Sequence, residues 1–177
     1  SIINTIQNGT LTTPLLVGNG SSCIGFDVQN ISASPITIHF LTFTSSATVG
    51  TILSESVYYT TTPLNCTAPA NVTTAPGWIF IGTASCTSAG VAPNLTAIPL
   101  DLNITIPVGA TYAFALGGSS VSYSGVGTTC VLTPIASDAN MVLKMGFGGT
   151  LTSTINFRSF NGSISYSSGV AATPSYT

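Results

Sequence analysis

Between Leu100 and Pro107 the chain alternates strictly. Leu100, Leu102, Ile104 and Ile106 fall on one side, Asp101, Asn103 and Thr105 on the other, which is the period-two pattern of a half-buried strand. Comparable short runs recur at 23–29, 36–43, 55–61, 78–85, 111–116, 141–145 and 163–166, each bounded by Gly, Pro, Asn or Ser. No stretch carries apolar residues at helical spacing over ten positions without Thr, Gly or Pro interrupting it. The pattern therefore predicts an all-β chain, a single jelly roll or β-sandwich with little or no helix. Neither a dividing linker nor a repeat of 20 to 50 residues is visible. The expected layout is a sandwich over 10–166, with an extension at 1–9 and a Ser/Gly/Ala/Pro-rich tail at 167–177.

Composition changes the picture of the surface. Only 3% of the 177 residues are charged, where a soluble domain carries about 25%. The charged side chains are Lys144, Arg158, Asp27, Glu55, Asp101 and Asp138. A net charge of −2 with two basic residues leaves no electrostatic footprint for phosphate backbones or anionic membranes, so nucleic acid is not an expected partner. No run approaches the ~20 apolar residues of a membrane-spanning helix, and membrane insertion is not expected. With no basic n-region followed by an apolar core at its start, the chain reads as one from which any secretion signal has been removed. Abundant β-branched and aromatic residues argue against disorder.

With so little charge, the outward face of the strand at 100–107 carries an N-glycosylation acceptor, Asn103-Ile-Thr105. Seven more acceptors open at Asn8, Asn19, Asn30, Asn65, Asn71, Asn94 and Asn161, so eight of the eleven Asn residues begin an N-x-Ser/Thr motif. Random placement would give about 3 in so Ser/Thr-rich a chain. Asn8-Gly and Asn19-Gly read as turn dipeptides, and Asn65 and Asn71 fall in a Pro-containing loop. Asn30 shares the phase of Ile24, Phe26 and Val28 and is accessible only if its strand has ended. Asn65 has Cys66 in its middle position, where early disulfide formation would compete. Covalent N-glycans are expected to take the place of surface charge, with no other cofactor.

The four cysteines, Cys23, Cys66, Cys86 and Cys130, are an even number in a chain that looks exported, which favours two disulfides. Three connectivities are possible. Cys23 and Cys130 each follow a similar Gly-x-Gly-Ser/Thr-Ser/Thr entry, which suggests pairing Cys23 with Cys130 and Cys66 with Cys86.

Candidate chemistry is sparse. His39 lies in a strand out of phase with Ile36, Ile38 and Phe40, which reads as a solvent-facing histidine rather than a catalytic base. The acids at 27, 55, 101 and 138 are scattered and announce neither a glycosidase pair nor a calcium site; no metal is expected. Gly117-Gly118 and Gly146 to Gly149 lack the Lys-Ser/Thr of a phosphate loop and read as turns. Trp78, Tyr58, Tyr59, Tyr112, Tyr123 and Tyr166 would suit a sugar platform but more often serve as core or cross-strand pairs. No enzymatic activity is expected.

The order of LTTPLLVGNGSSCIGFDV, SVYYTT, GWIFIGTAS, AIPLDLNITIPVGATYAFAL and FRSFNGSISY, from Leu11 to Tyr166, resembles that of β-sandwich modules in secreted and surface proteins of prokaryotes. More loosely, in composition and layout, the chain is similar to donor-strand, pilus-like filament subunits. The resemblance implies a sandwich fold, an extracellular or cell-surface location and a structural or adhesive role, and it brings no catalytic residues. Residues 1–9 lie outside the resembling region and could add as a strand to a neighbouring subunit, with Ile2 and Ile6, or Ile3, entering pockets. The expected function is thus a structural subunit of an extracellular, N-glycosylated filament, its partners being identical subunits joined head to tail. A cell-surface adhesin or carbohydrate-binding module is the alternative.

Overall fold

The computed structural model describes residues 6–16, 18–125 and 129–169. In chain order the strands are β1 (Gln7–Thr12), β2 (Asn19–Asn30), β3 (Ile36–Phe43), β4 (Ile52–Thr60), β5 (Ile79–Thr87), β6 (Thr96–Ala97), β7 (Ile104–Ile106), β8 (Thr111–Ser124), β9 (Ala136–Ser137), β10 (Met141–Thr150), β11 (Ser153–Phe160) and β12 (Gly162–Ser168). They form two antiparallel sheets packed face to face, an all-β sandwich. One sheet runs β1-β12-β3-β6, with β7 also on β3; the other runs β11-β10-β2-β8-β4-β5, with β9 on β10. No helix of the described residues is long and apolar enough to cross a membrane.

The core lies where the two inner faces meet. Ile24, Phe26 and Val28 of β2, Phe114 and Leu116 of β8 and Leu143 of β10 face Ile36, Ile38, Leu41 and Phe43 of β3 and Ile164 of β12. Phe26 stacks on Phe160 with centroids 4.2 Å apart. Each of these large side chains, fully removed from water, contributes about 1.5–3 kcal/mol.

A second, smaller core sits on the opposite face of the larger sheet. There Cys23, Ala113, Ala115 and Phe147 are covered by Leu64 and Val72, with Trp78 packed against the cluster. The loop 61–78 thus folds across the sheet rather than hanging from its end. Buried Asp27 holds it by accepting the Leu64 N–H at 2.8 Å and the Asn65 N–H at 3.3 Å. Its cysteine, Cys66, bonds to Cys130, with Cα atoms 5.7 Å apart.

That bond corrects the expected pairing. Cys23 and Cys86 are free and buried, because Cys23 faces the small core beneath the loop while Cys86 sits opposite Leu53 at the sheet edge. Burial, with the nearby Glu55 charge second, pushes both thiols up, Cys86 to about 11. Neither is a thiolate near neutral pH.

The glycines also depart from expectation. Gly117 and Gly118 lie inside β8, and a Cβ on Gly118 would collide with the Ser54 carbonyl of β4. Gly146, Gly148 and Gly149 all lie inside β10, Gly149 at φ +92° one residue before its end. They are points of close strand approach, not turns. The alternation of 100–107 does hold for burial, with Leu102 and Ile106 buried and Asp101, Asn103 and Thr105 exposed. Only 104–106 forms ladder, because Asn103 takes a φ of +50°.

Candidate functional site

The outer face of the five-stranded sheet carries a line of polar side chains. Among the described residues β1 is its edge strand, paired with β12 from Gln7↔Ser168 to Thr12↔Ser163. Asn8, Thr10 and Thr12 point outward, and Leu11 is the strand's buried apolar side chain. Beyond β1 the chain is fastened at a corner. Thr13 N–H donates to Gly162 O at 2.9 Å, and Asn161 Nδ2 donates to Leu16 O at 2.7 Å.

A bulge shapes the middle of this face. Ser165 pairs with Phe40 and Tyr166 with Ile38, which leaves His39 as an extra residue on β3. The extra residue breaks the phase that would have buried Phe40. Phe40 is instead 43% exposed, and Leu41 turns inward at 1%. His39 is likewise not free in solvent. Its Nδ1 lies 3.0 Å from Asp101 Oδ1 and its Nε2 lies 2.9 Å from Ser167 Oγ. Asp101 Oδ1 also accepts the Asn103 N–H at 3.1 Å. Asn8, Gly9, Thr10, His39, Phe40, Ser165 and Tyr166 enclose a shallow cavity of about 460 Å³ beside this line. Sequence reasoning missed it because the bulge and the 128-residue separation of His39 from Ser167 have no local signature; the outward phases of Asp101 and His39 were legible, their meeting was not.

The acceptor asparagines divide by burial. Asn8, Asn19, Asn65, Asn94 and Asn103 are exposed and Asn71 is half-buried. Two positions are corrected. Asn30 is fully buried, its Nδ2 donating to Ser34 O at 2.9 Å and Ile106 O at 3.0 Å. Asn161 is 1% exposed, its Nδ2 held by Leu16. In both, the nitrogen that would carry a sugar is already committed. Asn8 and Asn19 lie in β1 and β2 rather than in turns.

The aromatic residues do not converge on one surface. Trp78 meets Phe147 edge-on, Tyr58 meets Phe80, Tyr59 lies beside Tyr112, and Tyr123 and Tyr166 are buried. Tyr166 donates to Asp138 Oδ2 at 2.6 Å, and its hydroxyl titrates higher than usual because of burial first and that bond second. Among the described residues no three His, Cys, Asp or Glu side chains come together. Ile2 and Ile3 lie outside the described residues; Ile6 is 52% exposed.

No family model matches this chain, and no curated protein is similar enough to count as a relative.

Proposed function

We propose that this chain is a structural subunit of an extracellular filament, assembled head to tail by exchange of its N-terminal strand and coated by N-linked glycans. The observation that carries this reading is the position of β1. Among the described residues it is an edge strand with one sheet partner and one buried apolar side chain, and the corner at Thr13 and Leu16 marks where it leaves the fold. A strand so placed can quit its own β12 and lie on the identical β12 of the next subunit, making the same main-chain bonds there. When each subunit gives its strand to one neighbour and receives from another, the two surfaces differ, and a contact whose rotation does not close grows into a filament. The exchanging strand is longer than the expected segment 1–9, since the ladder with β12 runs to Thr12.

Glycans at accessible acceptors such as Asn19, Asn94 and Asn103 would solvate a surface that has almost no charge. The Cys66–Cys130 bond fits an oxidising, extracellular-type environment. A carbohydrate-binding module is the second reading, favoured by the cavity in which exposed Phe40 stands among His39, Asn8 and Ser165.

Electron microscopy of native material tests the choice. Subunits repeating along an axis are expected, and a chain lacking residues 1–12 should remain monomeric. Polymers that persist without those residues would sink strand exchange, and dispersed wild-type monomers would leave the binding module.

A further inference from the structure

Asp101, His39 and Ser167 stand in a hydrogen-bonded line, carboxylate to Nδ1 at 3.0 Å and Nε2 to hydroxyl at 2.9 Å. A proton on Nδ1, held by the carboxylate, leaves the Nε2 lone pair free to take the serine proton, which is the arrangement that turns a hydroxyl into a nucleophile. The group beside that hydroxyl is a carboxamide. Asn8 is the register partner of Ser167 on the neighbouring strand, both point to the outer face, and Asn8 and His39 wall the same cavity. Its side chain is exposed.

We propose that Ser167 and Asn8 form an ester cross-link between the last and first strands, with His39 as the proton-transfer group and Asp101 as its positioning residue. Ser167 Oγ attacks the Asn8 side-chain carbonyl carbon and gives its proton to His39 Nε2. The imidazolium then protonates the amide nitrogen, the C–N bond breaks, and ammonia leaves as the ester C–O bond remains. No oxidant or other reactant is consumed. Cβ atoms directly opposite each other in such a ladder are about 4.5–5.5 Å apart. An ester spans about 3.8 Å between them, as a trans peptide does between Cα atoms, so closure asks roughly a 1 Å approach of a strand that pairs on one side among the described residues. Holding the two groups in register supplies the proximity that a reaction of a plain amide requires.

The bond follows β1. In an isolated subunit it is intramolecular, and in a strand-exchanged polymer it joins neighbours, so it stands or falls independently of the filament. Where it forms, Asn8 has lost its amide nitrogen and carries no sugar. Intact mass spectrometry of the full chain, produced without glycosylation, reads it directly. The disulfide-bonded protein should be lighter by one ammonia, a digest should contain the peptides of Asn8 and Ser167 joined, and Ser167→Ala and His39→Ala should each restore the full mass. Asp101→Asn should slow formation without abolishing it. A folded wild-type chain of full mass with free Asn8 and Ser167 peptides would overturn the proposal. So would an ammonia loss that survives in Ser167→Ala, since a cyclic imide at Asn8-Gly9 would give that result, or a glycan on Asn8 in native material.

Discussion

At the scale of single residues, buried polar groups fix this fold as firmly as the apolar ones. Asn30 ends β2 with its side chain facing the core, and four bonds tie it to its surroundings. It donates to Ser34 O and Ile106 O and accepts from the backbone and hydroxyl of Ser32. Removing it strands the Ile106 carbonyl in the interior, which makes deletion costlier than loss of one average bond. Asn30→Ala should destabilise the protein by about 2–3 kcal/mol, measured by urea unfolding, and glycopeptide mapping should find Asn30 and Asn161 bare. The Asn-x-Ser pattern at 30–32 was visible in the sequence, and so was the inward phase of Asn30. What was not visible is that β2 runs through Asn30, because a strand's end depends on whether its neighbours continue to pair.

At the scale of elements, the loop 61–78 behaves as a lid on the larger sheet. Its composition, Pro- and Thr-rich with scattered Leu, Val and Trp, carries no periodicity and reads as surface loop. Asp27, the disulfide and the Val72 N–H bond to Leu151 O at 2.7 Å nevertheless give it a core of its own. The bridge spans 64 residues, and chain-entropy arguments assign a loop of that size about 4 kcal/mol. Replacing Cys66 and Cys130 together by Ser should lower stability by up to that amount. The loss should come with increased exposure of Trp78, read by its fluorescence, while the larger core survives. Sequence reasoning paired the wrong cysteines because resemblance between two strand entries says nothing about which loop crosses which sheet.

At the scale of the whole molecule, scarcity of charge shapes the response to pH. Of four carboxylates, Asp27 and Glu55 are buried, and burial is the leading reason that both titrate above their ordinary range. For Glu55, Oε1 accepts two backbone N–H groups while Oε2 has no partner among the described residues. A carboxyl whose folded pKa is raised binds its proton more tightly in the native state. Its contribution is therefore fully present below the unfolded value near about 4 and is lost as pH rises through the folded value. Stability should increase on acidification from neutral pH, the reverse of the usual acid denaturation. Thermal unfolding across pH 3 to about 8 tests this, and Glu55→Gln should flatten the profile. A midpoint that falls steadily in acid would contradict the assignment.

Some of this protein could be read without coordinates. Period-two alternation with Gly, Pro and Asn punctuation determined an all-β chain and located eight of its strands, because a strand that buries one face must write that face into every second residue. It also put Asp101, Asn103 and Thr105 outside. Tertiary structure alone decided the rest. A single extra residue at His39 reversed the phase of β3, exposing Phe40 and bringing His39 to Ser167 and Asp101. Phe157, at φ +60° in β11, and the glycines inside β8 and β10 similarly hid ladder from the pattern. Which cysteines meet, which asparagines are reachable and which hydroxyl faces which carboxamide are matters of register between strands far apart in the chain. Register is fixed by the packing of the two sheets against each other, a property of the whole sandwich that no local stretch contains.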